Sequence, residues 1–253
     1  MNLFKTETQE LLEQYVTKDW AEVLSDHIDA ETFKSIRKQV GLSRNTAVVY
    51  PEAKDIFKAL KYDFEKIKVV IVGQDPYHNG NADGLAFSCK NTLSPSLRMV
   101  INAIWADEFR DSKEIGNPNS INVNRMNYIN NRNNWNLEYL SEQGVLLYNP
   151  TLTVEAGKPQ SHKGIWNKFT EAVFTSLLRQ ENVVWILWGT EAMKAYTNVS
   201  HNDLKSIDNR LVLTNEHPAA ASYAQRTWEC DHFTRCNKWL KDNNLNEIEW
   251  IQR

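Results

Sequence analysis

At 253 residues, with 42% hydrophobic and 24% charged positions, the chain carries enough apolar material for one sizeable α/β core. Its net charge of −3 excludes a general nucleic-acid coat, which is usually basic, so any contact with DNA has to come from a local patch or from backbone N–H groups. Three cysteines (Cys89, Cys230 and Cys236) without a CxxC pair argue against a disulfide framework, a four-cysteine zinc site and an iron–sulfur cluster, and no apolar run is long enough to span a membrane.

The opening "MNLFKTETQE" lacks the apolar region of a signal peptide, which with reduced cysteines predicts a cytoplasmic protein, or a nuclear one in a eukaryotic host. "TETQELLEQYVTKDWAEVLSDHI" and "AETFKSIRKQVGL" have apolar residues at helical spacing, with Thr6 or Thr8 as the first N-cap. In "YPEAKDIFKAL", Pro51 suits a helix start and Ile56, Phe57 and Leu60 share a face. The period then changes. "IKVVIVG", "GVLLYN", "VVWILWG" and "RLVLTNEHP" are short, nearly uninterrupted apolar runs, as expected of parallel strands covered on both faces. Helical stretches lie between them ("SLRMVINAIWADEF", "WNKFTEAVFTSLLRQ", "TEAMKAY"), and "CDHFTRCNKWLKDNN" closes the chain. Strands alternating with helices predict right-handed βαβ units. The expectation is one domain over residues 1–253, a three-layer α/β fold whose central four-stranded parallel sheet is flanked by helices.

Residues 117–136 are half asparagine, a poor former of helix and strand interiors and a good turn former. A solvated surface excursion without function is the favoured reading, and Arg125 and Arg132 among aromatics leave a binding role open.

In open parallel sheets, ligands bind outside the carboxyl ends of the strands. After the predicted strands come "GQDPYHNGNADGLAFSC", "NPTLTVEAGKPQSHKG", "GTEAMK" and "NEHPAAAS". Their contents predict one cleft holding Asp75, Tyr77, His78, Phe87, Asn149 and His217. One carboxylate, one amide, aromatics and a histidine, without metal-ligand spacing, suit a flat polar heterocycle. An amide reads donor–acceptor edges, a phenyl ring stacks on a π-face, and a carboxylate activates water or stabilises positive charge. Each residue alone has a blander reading: Asp75 as a helix cap, His217 as a structural histidine, Phe87 as core.

"VVIVGQDPYH", "GLAFS", "LLYNPTLTV" and "HP…S", in this order, resemble the uracil-DNA glycosylases of the main uracil-specific family, and the likeness runs over roughly residues 48–240. The resemblance implies cleavage of the N-glycosidic bond of uracil flipped out of single- or double-stranded DNA. It implies that Asp75 orients water and favours a cationic sugar, that His217 hydrogen-bonds the uracil O2, that Asn149 reads the uracil edge, that Tyr77 crowds the C5 position, that Phe87 stacks on the base, and that Gln74 supports the pocket. It further implies phosphate contacts from Ser94, Pro95 and Ser96 in "LSPS" and from Ser161 and His162 in "KPQSHKG". No metal or other cofactor is implied. The implied state is a monomer without membrane contact, and a proteinaceous uracil-glycosylase inhibitor is admitted as a partner.

Three departures stand out. "NGNAD" is one residue shorter than the family's usual loop, and the asparagine-rich excursion is longer than the matching region. The family usually reads His-Pro-Ser-Pro-Leu-Ser where this chain has "HPAAAS", so Ala219 replaces a phosphate-binding serine and Ala221 a leucine wedge. With Ser222, Ala221 is still expected against DNA, and Tyr223, two residues on, is a replacement wedge. Three readings follow. The first is a uracil-DNA glycosylase with an altered insertion loop and relatively weaker duplex activity. The second is a related glycosylase acting on a modified pyrimidine, which the shortened loop favours and Tyr77 and Asn149 oppose. The third is a DNA-binding or inhibitor-binding homologue with lost catalysis, which Asp75 and His217 oppose.

Overall fold

The computed structural model describes residues 5–108, 135–201, 204–207 and 209–252. Most of the asparagine-rich stretch therefore lies outside the described residues. The four predicted apolar runs form one parallel sheet. Its strands are Val69–Val72 (β2), Val145–Tyr148 (β3), Val183–Trp188 (β5) and Arg210–Asn215 (β6), in the order β3-β2-β5-β6. The register sets Val72 beside Tyr148 and Leu187, and Trp188 beside Asn215, so the strands end at one edge.

Side chains alternate across a strand, so Trp185 and Trp188 point to opposite faces. Trp185 meets Phe174 of the helix Asn167–Leu178 and Tyr196 of the helix Thr190–Thr197. Trp188 meets Trp228 and Phe233, the latter on the helix His232–Asp242. With every residue of β2, β3 and β5 buried, the sheet is covered on both sides, which is why these strands read as continuous apolar runs. The helices Lys18–Ser25 and Ala30–Arg44 bring Trp20 and Phe33 into the same core, Phe33 stacking on Phe169.

Local details refine the sequence reading. The first helical run breaks into Glu7–Leu12 and Lys18–Ser25, and Thr6, not Thr8, caps the first piece by accepting the Gln9 N–H. "YPEAKDIFKAL" forms short 3-10 turns in place of an α-helix, although Ile56, Phe57 and Leu60 are buried as expected. Two short strands not anticipated from the sequence, Val49–Tyr50 (β1) and Val154–Glu155 (β4), pair antiparallel. They fasten the chain after β3 to the N-terminal helices.

Candidate active site

The strand ends open into a cavity of about 380 Å³, bordered by Gln74, Asp75, Tyr77, Phe87, Asn149 and His217, with His78 also on its wall. The residues expected in one cleft are thus brought together from three strand ends and the loop after β2.

Asp75 follows β2. One carboxylate oxygen accepts the Gln160 backbone N–H at 2.7 Å. Burial pushes its pKa above the ordinary carboxylate value, and the Gln160 hydrogen bond and nearby His78 oppose that shift. Gln160 holds a positive φ of 60°, unusual for a residue with a Cβ, so the loop is bent to present this N–H. Asn149 leaves β3 and is nearly buried beside Gly73.

Phe87 also has a positive φ, 64°. Such strain persists only where the surroundings impose it, and here they do. The Phe87 ring lies edge-on to Trp188 at 5.2 Å and 5.5 Å from the His217 ring. Its carbonyl accepts the Tyr77 hydroxyl at 3.2 Å, and the Ala86 N–H donates to the Leu147 carbonyl at the end of β3. Buried Asp83 anchors the loop from below, accepting from the Leu85 N–H, the Ser88 hydroxyl and the Asn136 side-chain amide. Asn136 and Trp135, at the end of the asparagine-rich segment, therefore dock on this loop; the Cys89 N–H donates to the Trp135 carbonyl at 3.1 Å.

His217 caps the helix Pro218–Tyr223, its Nδ1 accepting the Ala219 N–H at 3.2 Å. Burial drives its pKa down to about 4, so the ring is neutral at physiological pH. With Nδ1 an acceptor, the ring proton sits on Nε2, leaving one N–H donor for a cavity ligand. A neutral donor and a half-buried carboxylate thus share one cavity, an arrangement fit to stabilise charge as it separates. Among the described residues, no group of three or more His, Cys, Asp or Glu side chains is placed to hold a metal ion.

The residues expected against DNA divide. Ser96 borders the cavity, while Pro95 and Ser161 are exposed. Tyr223 is 89% exposed and stands at the cavity's edge, with Ser222 half-buried beside it. Three side chains are turned inward, contrary to expectation. Ser94 is buried, its hydroxyl engaged with Tyr77 and the Leu97 N–H. His162 is 2% exposed, with both ring nitrogens taken by Thr153 and Ser43. Ala221 is fully buried, because the segment is helical and the position three after buried Pro218 faces the core. Ala221 is therefore no shortened wedge at the surface. Gln160, Asp83 and Trp188 were not anticipated as supports of the site: no sequence signal gives a glutamine a left-handed backbone, and Trp188 reads only as strand.

Residues 61–241 match the model of the "Uracil DNA glycosylase superfamily". The chain is 38% identical to a Coxiella burnetii (strain RSA 493 / Nine Mile phase I) uracil-DNA glycosylase, covering 92% of this chain and 94% of that one. It is 35% identical to a Haemophilus influenzae (strain PittEE) uracil-DNA glycosylase, covering 92% and 99%. Among solved structures it is similar to a mimivirus UNG variant in complex with UGI, with a TM-score of 0.72 and 19% identity over 94% of this chain and 90% of that one.

Proposed function

The chain belongs to the uracil-DNA glycosylase superfamily and excises uracil from DNA, as a hydrolase of N-glycosyl bonds in base excision repair; on that premise, we propose that the cavity at the strand ends holds the flipped base and that its side chains divide the reaction among them. A stacked base is out of reach, so uracil leaves the helix and enters the cavity. Phe87 stacks on its face, and the Asn149 amide pairs with the adjacent acceptor and donor of its edge, where cytosine presents a different pattern. Tyr77 stands against C5 and bars a thymine methyl. Gln74 supports the pocket through its backbone, whose carbonyl accepts the Thr151 N–H at 3.3 Å.

As the C1′–N1 bond breaks, its electron pair passes to the base, and negative charge gathers on O2. The Nε2–H of neutral His217 donates to that oxygen, a preorganised donor aimed at developing charge. The sugar becomes oxocarbenium-like. The Asp75 carboxylate stabilises it and accepts the proton of the water whose oxygen bonds to C1′. Asp75 then gives its proton up to solvent and the departing uracil anion takes one from solvent, so that free uracil and an abasic site result.

The observation that carries this reading is the meeting of Asp75, Asn149 and His217 in one cavity with Phe87. Exposed Ser161 and Pro95, with Ser96 and Ser222, serve as phosphate contacts that fix register without reading sequence. Tyr223 is the wedge that fills the gap left by the flipped base. The enzyme works as a cytoplasmic monomer (nuclear in a eukaryotic host), and the mimivirus complex with UGI supports an inhibitor of that type as a partner. Single-stranded oligonucleotides carrying uracil, thymine or modified pyrimidines, with Asp75→Asn as control, test the assignment. Release from uracil alone, abolished in the control, is expected. Preferential release of a modified pyrimidine overturns it, as does undiminished release by Asp75→Asn.

A further inference from the structure

Tyr77 bars a C5 substituent only as firmly as the ring itself is held. Its ring borders the cavity, and its hydroxyl reaches away into the protein, 2.6 Å from the Ser94 Oγ and 3.2 Å from the Phe87 carbonyl. Ser94 immediately precedes the helix Pro95–Glu108, and its Oγ accepts the Leu97 N–H at 3.1 Å, the bond of an N-cap serine to the third helical residue. Each hydroxyl has one proton to give. Only one assignment satisfies all three contacts. The Leu97 N–H donates to Ser94, the Ser94 hydroxyl donates to Tyr77, and the Tyr77 hydroxyl donates to the Phe87 carbonyl. That carbonyl belongs to the residue strained at φ 64° whose side chain also borders the cavity. The Cys89 Sγ meets the same carbonyl at 3.7 Å.

We propose that Ser94 is a specificity-determining positioning residue: through this directed hydrogen-bond chain it clamps the Tyr77 ring between a helix N-terminus and the Phe87 backbone, and so sets the size of C5 substituent the enzyme rejects. This rests on the reading that Tyr77 faces the base C5. Neither Ser94 nor the Tyr77 hydroxyl needs to touch the base. A ring free to tilt admits a larger substituent, whereas a clamped one does not, and a chain of hydrogen bonds in a buried setting is stiffer than its separate links.

The test compares kcat/KM on single-stranded oligonucleotides carrying uracil, 5-fluorouracil, 5-bromouracil or thymine. Ser94→Gly removes the hydroxyl at little cost to the helix cap, since glycine is a tolerated N-cap. Its 5-bromouracil-to-uracil ratio is expected to rise about 10-fold or more, on the scale by which pockets discriminate single small groups, and Ser94→Thr is expected to restore the wild-type ratio. Tyr77→Phe cuts the same chain at its other end without touching the cap and is expected to raise the ratio similarly. Ser94→Gly added to Tyr77→Phe is expected to change nothing more. Equal loss on all substrates in Ser94→Gly marks a helix cap only and overturns the proposal. So does an unchanged ratio in Tyr77→Phe where Tyr77→Ala raises it. If Tyr77→Ala itself admits no larger substituent, it is the placement of Tyr77 against C5 that fails.

Discussion

Gly73 and Asn149 end neighbouring strands so close together that a Cβ on the glycine would stand 2.3 Å from the Asn149 Oδ1. The same Cβ would lie 3.2 Å from the Ala86 Cβ, so it has no room to shift away. The amide rests on bare backbone, and only glycine allows it. Gly73→Ala is therefore expected to displace the Asn149 amide while leaving the sheet intact. Single-turnover kinetics on uracil-containing single strands should show kcat/KM lowered by about 100-fold or more, the loss typical of an ångström of misplacement, with an unchanged far-UV spectrum. A rate near wild type would remove Asn149 from base recognition.

The pH–rate profile should report Asp75. In the proposed reaction its ionised form is the active one, and burial raises its pKa, so activity is expected to fall as pH drops through a value above that of an ordinary aspartate. His217 stays neutral down to about 4 and contributes no limb above that. Gln160→Gly keeps the N–H that donates to Asp75 and accepts the positive φ, so it should leave the acid limb in place. Gln160→Pro removes the N–H and also forbids the positive φ, so Asp75 loses this loop contact altogether and the limb should move to higher pH, with a lower plateau. An acid limb at or below the value of an ordinary aspartate would mean that another group is titrating.

Fold stability should carry a histidine signature. His232 is buried, its Nδ1 accepts the Trp188 Nε1–H at 3.1 Å, and the two rings stack. Burial lowers its pKa to about 4, with Asp231 opposing and Arg235 reinforcing that shift. The unfolded chain takes up the proton near 6.5 and the folded chain only near 4. Stability is thus intact above about pH 6.5 and lost as pH falls from there towards 4, at up to about 1.4 kcal/mol per pH unit for this one group. His232→Gln keeps an acceptor and cannot titrate. Urea midpoints of the two proteins should converge as pH falls through that window; parallel curves would contradict a neutral buried His232.

Tyr223 should matter only where a helix must be opened. It is 89% exposed at the cavity's edge and is the large side chain left to act from the helix that carries Ala221 into the core. Tyr223→Ala is expected to slow uracil release from duplex DNA about 10-fold or more and to leave single-strand release within about 2-fold, because unpaired bases cost little to flip. Equal duplex rates for wild type and variant would end the wedge assignment.

The four strands and the residues behind them were legible because a strand buried on both faces must be apolar throughout and must then stop, leaving polar residues crowded at its end. Asp75, Asn149 and His217 are found that way before any likeness to other proteins is considered. The insertion loop was not legible, because position-by-position comparison of "HPAAAS" treats it as extended. His217 instead caps a helix, and helical spacing sends Ala221 inward with Pro218. Gln160 escaped notice because it acts through its backbone, to which side-chain identity is blind. From "SHKG" alone His162 reads as either structural or near a phosphate, and it is the pairing of β1 with β4, each only two residues long, that folds it under the N-terminal helices.

That buried histidine ties distant parts of the chain together. Its ring links Thr153, just before β4, to Ser43 on the helix Ala30–Arg44, and Ser43 also donates to Glu155. The loop so moored carries Gln160, whose N–H grips Asp75. A change at position 43, far from the cavity, is thereby expected to be felt at the carboxylate to which the water is assigned, passed on through His162 and the loop that carries Gln160.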